Sequence, residues 1–84
     1  MNFSTEVCNP SVIRVLMNAE ARKNLGGMLK MITQKGLTIQ EAAKRTGIKT
    51  AKFYEYANGV TTPTERTYNR LARLFGWEEV KLTR

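Results

Sequence analysis

The chain has 84 residues and contains no His; its seven acidic residues are all Glu, so Asp is absent as well. Ser–His–Asp triads, imidazole-bound zinc, Asp-built calcium loops and paired-Asp catalysis all need residues it lacks. Cys8 is the single cysteine. It has no partner for an intramolecular disulfide, supplies only one ligand where zinc needs about four, and reads as a small free thiol in a loose N-terminal segment. No metal, no cofactor and no enzymatic activity are expected. What remains is recognition chemistry. Fourteen Lys and Arg give a net charge of +7 and a pI near 10.0. Such an imbalance draws polyanions, nucleic acid first and an anionic membrane or acidic protein second. The side chains suited to that work crowd one stretch: Thr38, Gln40, Lys49, Thr50, Ala51, Lys52, Tyr54, Glu55, Asn58, Thr61 and Thr62.

The elements that must hold them can be read from spacing and punctuation. The length allows one domain burying about 60–65% of its unfolded surface, room for a core but not for a deep cleft. Charge is uneven. Residues 1–20 set Arg14 against Glu6 and Glu20, whereas residues 21–47 set Arg22, Lys23, Lys30, Lys35, Lys44 and Arg45 against Glu41 alone. No repeat or linker divides the chain. No apolar run approaches the ~18 residues of a membrane span, and no basic-then-apolar signal layout opens it. A soluble, cytoplasmic protein is expected, the lone cysteine fitting a reducing compartment.

Ser11 reads as an N-cap for the apolar residues Val12, Ile13, Val15, Leu16 and Met17. Leu25, Met28, Leu29 and Ile32 recur at spacings of three and four, one face of a helix. Gly26–Gly27 within that stretch marks close backbone packing or a break. Lys35–Gly36 ends it. Thr38-Ile39-Gln40-Glu41 has the capping-box form and starts a short helix over 38–46 that Gly47 stops. A further helix over 50–57 ends at Asn58-Gly59. Thr62-Pro63-Thr64-Glu65 restarts a helix with Pro at or near its first position; Tyr68, Leu71, Ala72 and Phe75 form its apolar face, and Gly76 stops it. Nothing alternates with period two. The class is all-α.

Two short helices joined by a Gly-containing turn of three or four residues make a helix-turn-helix signature. The small pair Ala42–Ala43 lets the two approach. At about 100° per residue, Phe53, Tyr56 and Ala57 gather on one side of the second helix and Thr50, Ala51, Tyr54, Glu55 and Asn58 on another. The first side can dock on a core; the second is mixed and polar, as a surface reading base edges would be. Ile48 and Phe53 stand in hydrophobic-staple relation if Lys49 is the cap.

At these residues the sequence resembles the Cro/C1-type (XRE) helix-turn-helix regulators. The likeness runs from Leu25-Gly26 through Gly36-Leu37-Thr38, Glu41-Ala42-Ala43, Gly47-Ile48, Asn58-Gly59, Pro63 and Leu71-Ala72 to Gly76. It implies a compact, lambda-repressor-like domain of five short helices over 19–84, preceded by an extension (1–18) that is helical over about 11–17. It also implies that residues 49–57 form the recognition helix of a sequence-specific, double-stranded DNA-binding repressor. Thr50, Ala51, Tyr54 and Glu55 would then face the major groove. Thr38, Gln40, Lys49, Lys52, Asn58, Thr61 and Thr62 would meet phosphates, with backbone N–H groups of the loop Val60–Thr62 and of the start of helix 38–46 beside them. The sequence departs from the family pattern at Ile39 (usually Gln), Thr46 (usually Leu), Lys49 (usually Ser or Thr) and Ala57 (often Glu).

Several residues keep a plainer reading. Tyr54 can cover the helix edge, Glu55 can pair with Lys52, and Lys49 and Lys52 can be ordinary exposed lysines. Arg66, Arg70 and Arg73, at i, i+4, i+7, read as a solvated face or a phosphate rail, and Trp77 as a core lid or a partner anchor. One such domain buries little DNA surface, so a homodimer on a palindromic operator is expected. It would pair through residues 12–17 or through the tail around Trp77, Val80 and Leu82, which family habit favours slightly. The alternative from another class is an antitoxin or adaptor that grips a protein partner through Val12–Met17. An RNA reader would need an exposed aromatic sheet that is missing.

Overall fold

Six helices and no strand account for the described residues, 10–80, of the computed structural model. They are α1 (Pro10–Met17), α2 (Ala19–Gly26), α3 (Met28–Gln34), α4 (Ile39–Thr46), α5 (Thr50–Ala57) and α6 (Glu65–Phe75). The all-α expectation holds: α1 falls in the stretch 1–18, where a helix is expected over about 11–17, and α2 to α6 fall within 19–84. Local chemistry sets the breaks between the first three helices. Asn18 separates α1 from α2 by one residue: its N–H donates back to the Val15 carbonyl at 3.1 Å, and its side chain accepts the Ala21 N–H at 3.0 Å. Gly27 then splits the apolar stretch, its N–H shared between the Lys23 and Asn24 carbonyls at 3.2 Å each. The glycine pair is therefore a break. Close packing is not its role, because a Cβ on Gly26 would meet nothing within 4 Å.

All six helices feed one core. Val15, Ala21, Leu25, Met28, Ile32, Ala42, Phe53, Tyr68, Leu71, Ala72 and Phe75 belong to it, with Ile48 and Val80 from the connecting segments. Each fully buried large side chain contributes about 1.5–3 kcal/mol. The apolar face expected of α6 is buried as read. Pro63, though, precedes the Thr64 cap instead of opening the helix, and the Thr64 hydroxyl accepts the Thr67 N–H at 3.3 Å.

The N-terminal helix is built into this core through Val12 and Val15. It begins at Pro10, so Ser11 is not its cap. Instead the Ser11 hydroxyl accepts the N–H of Glu65, the first residue of α6, at 2.8 Å. Arg14 Nη1 donates to Glu65 Oε1 at 2.7 Å, and the Glu65 residue is only 3% exposed. Midway along α6, Asn69 clasps the backbone of Val80, donating to its carbonyl at 3.0 Å and accepting its N–H at 2.8 Å. That clasp folds the tail back. Trp77 stacks on Tyr68 (ring centroids 5.5 Å apart) and leans on Phe75 at 4.9 Å, which makes it a lid on the core. Cys8 and Leu82 lie outside the described residues. No helix of the described residues is long and apolar enough to cross a membrane.

Candidate nucleic-acid interface

The stretch from Thr38 to Asn58 folds by rules local to it. Thr38 has extended backbone, its hydroxyl accepts the Glu41 N–H at 3.1 Å, and the Glu41 carboxylate takes the Thr38 N–H at 3.0 Å. This capping box fixes where α4 begins. Gly47 fixes where it ends, with φ of +74° and its N–H on the Ala43 carbonyl at 2.8 Å. A residue with a Cβ pays about 1–2 kcal/mol in that left-handed conformation. Between them Ala42 is fully buried, so α5 packs directly on the α4 backbone.

The turn carries one of the departures from the family pattern, Thr46, and the structure gives it work. Its buried hydroxyl donates to the Ala42 carbonyl at 2.8 Å and accepts the Ile48 N–H at 3.3 Å, tying turn to helix. Ile48 and Phe53 are both buried, the staple expected on either side of Lys49. Lys49 is the N-cap residue, with extended backbone and no side-chain cap bond.

With Phe53 locked inward, the opposite side of α5 is outward. Thr50, Ala51 and Asn58 are exposed, Tyr54 is 49% exposed, and Lys49 is exposed just before them. Thr50, Tyr54 and Asn58 follow at i, i+4, i+8, and so lie along one line of the helix surface. Tyr56, read as core, is half-buried against it. Thr38 and Gln40 are exposed at the start of α4, and Thr61 and Thr62 are half-buried in the loop after α5.

Glu55 is engaged. Lys52 Nζ and the Thr61 hydroxyl both donate to its Oε1 at 3.2 Å, while its backbone carbonyl accepts the N–H of Val60 at 2.9 Å and of Thr61 at 3.4 Å. It stitches the loop to α5. The expectation that the loop offers those two N–H groups to a sugar–phosphate chain is thereby corrected, since they are already spent inside the protein. Sequence reasoning saw the Lys52 pairing but not the tie to Thr61, which depends on the loop turning back after Gly59. It also did not single out Arg22. That exposed guanidinium lines a cleft of about 190 Å³ together with Tyr56, Thr61 and Thr62. No spacing signals the approach of α2 to a loop some forty residues later.

No group of three or more Cys or Glu is arranged to hold a metal ion among the described residues. The arrangement offers hydroxyl, phenol, methyl and ammonium groups on a rigid rod, which suits hydrogen bonding and charge pairing. No curated protein and no solved structure is significantly similar to the chain. A family described as a helix-turn-helix domain does match it, over residues 13–84. That match spans α2 to α6 and all of α1 but its first three residues, so the chain belongs to the helix-turn-helix domain family.

Proposed function

We propose that this protein is a sequence-specific, double-stranded DNA-binding transcriptional regulator, a repressor of the Cro/C1 kind that occupies a palindromic operator as a dimer. The observation that carries the reading is α5 itself: Phe53 is sunk in the core while Thr50, Ala51 and Tyr54 stand outward beside Lys49. A helix held in that way fits the major groove. Thr50 donates to or accepts from a base edge, Ala51 packs on a thymine methyl, and Tyr54 meets a methyl or a phosphate. Glu55 accepts from a cytosine amino group once the groove competes with Lys52 for its carboxylate. Lys49, Lys52, Thr38, Gln40, Asn58, Thr61 and Thr62 hold the flanking phosphates.

Dimerisation through α1 fits better than through the tail. Trp77 and Val80 are committed to their own core, whereas Ile13, Leu16 and Met17 are 38, 45 and 75% exposed. The same stripe is what supports the second reading, a module that grips a protein partner.

Selection of bound duplexes from a random pool tests the proposal. A repressor enriches one motif in two inverted half-sites. Thr50→Ala then changes the preferred base at one position in each half-site by about 1–3 kcal/mol. Lys52→Ala weakens all sequences alike and lowers the salt slope by about 0.9. Failure to enrich any motif, with duplex leaving the α5 amide resonances unmoved, sinks this reading in favour of the adaptor.

A further inference from the structure

The arginines of α6 acquire a partner that the sequence does not reveal. Arg45, in the last turn of α4, faces Arg70 and Arg73 across a cleft of about 370 Å³ whose other walls are Thr46 and Leu74. All three arginines are exposed. Arg70 Nη1 lies over the helix-turn-helix turn, 3.7 Å from where a Cβ on Gly47 would sit. Arg73 donates from Nε to Glu79 at 3.1 Å, but among the described residues no carboxylate lines the cleft itself. The Thr46 hydroxyl is turned to the Ala42 carbonyl. The C-terminal end of α4 accounts for a cation at Arg45. It does not account for two more arginines lining the same cleft.

The cleft is separate from the face described above. On α4, Gln40 and Lys44 share one flank, and Arg45 lies on the next, about 100° round the helix. Planar guanidinium forks match the oxygens of phosphate two at a time. The single apolar wall, Leu74, is too little to anchor a peptide. We infer that the cleft between α4 and α6 is a second anion site that takes phosphate groups, either adjacent phosphates of a nucleic-acid backbone or those of a free nucleotide. The inference does not depend on base reading by α5.

Titrations of the full chain, followed through the Arg side-chain and Gly47 and Leu74 amide resonances, decide it with two probes, pyrophosphate and a duplex of random sequence. If pyrophosphate moves the Arg45, Arg70 and Arg73 signals saturably, and Arg70→Gln weakens that binding about tenfold, free phosphate is the source. If pyrophosphate is silent while duplex moves them, and Arg45→Gln with Arg70→Gln lowers the salt slope of duplex binding by about 1.8, the backbone is the source. If neither probe moves these signals, or both move them but the two variants bind unchanged, the site is overturned. A cleft that responds to pyrophosphate while the Thr50 and Ala51 amides ignore duplex leaves this inference standing and removes the DNA-reading proposal.

Discussion

Between Thr38 and Asn58 the polar contacts join residues a few positions apart; between α1 and α6 they join residues 51 and 54 positions apart. The first region is a capping box, a left-handed glycine and a staple, each satisfied within its own segment. The second is a seam in which one helix caps another: Ser11 completes the N-terminus of α6, and Arg14 neutralises the carboxylate that opens it. A segment organised locally has its outward face set by near neighbours in sequence, once Ala42 and Phe53 dock on the common core. A seam exists only when the whole fold exists. The two regions should therefore answer differently to substitution, and Trp77, the only tryptophan, reports the second of them.

The largest effect tests whether the first region, for all its local contacts, depends on the common core. Phe53 is its largest fully buried side chain in that core, beside the small Ala42. Phe53→Ala should cost about 3–5 kcal/mol. In urea, the transition followed by circular dichroism and that followed by Trp77 fluorescence should shift together, as one cooperative unit does. A tryptophan transition left in place while helical signal is lost would mean that the halves unfold separately.

Next in size is the seam. Removing Arg14 strands the Glu65 carboxylate, whose side chain is 4% exposed while that of Arg14 is 36% exposed. Breaking a fully buried pair costs about 3–5 kcal/mol, and the partial exposure of Arg14 brings the expectation for Arg14→Ala down to about 2 kcal/mol. Glu65→Gln in that background should restore most of the loss, because a neutral amide needs no counter-charge. If the double variant is no more stable than Arg14→Ala, the ion pair is not what secures α1.

The same division separates what could be read from sequence and what could not. Thr38 with Glu41, Gly47, and Ile48 with Phe53 are pairs or punctuation at spacings of a turn or so, where backbone geometry alone decides who meets whom. Their elements fell where expected to within a residue. The uses of Ser11, Glu65 and Asn69 were illegible for the opposite reason. A serine after a proline looks like a local cap, and only the packing of α1 on α6 hands its hydroxyl to another helix. Gly26–Gly27 lay between: the anomaly was plain, but whether it meant contact or a break depended on neighbours the sequence does not place. At the candidate site the outward residues of α5 followed from helical angle, whereas the tie from Glu55 to Thr61 and the gathering of Arg45 with Arg70 and Arg73 needed the third dimension.

The smallest effect sharpens the comparison through pH. Tyr68 lies on α6, the helix that forms the seam, and is fully buried, with its hydroxyl oxygen accepting from Asn24 Nδ2 of α2 at 2.9 Å. Burial pushes its pKa above the usual 10.0; the Asn24 hydrogen bond pulls the other way, and Glu20 adds to the rise. Below that pH the phenol is protonated in both folded and unfolded chains and contributes no pH dependence. As pH climbs past 10 the unfolded chain releases the proton first, so this contribution to stability declines until the folded phenol also ionises. Tyr68→Phe forfeits the Asn24 bond, worth about 1 kcal/mol, and should be the less stable protein at pH 8. It should also lack the alkaline decline, so the gap to the unaltered chain narrows between pH 10 and 11, by at most about 1.4 kcal/mol per pH unit. Urea midpoints at pH 8, 10 and 11 check this. Parallel curves would show that burial of Tyr68 does not govern its proton.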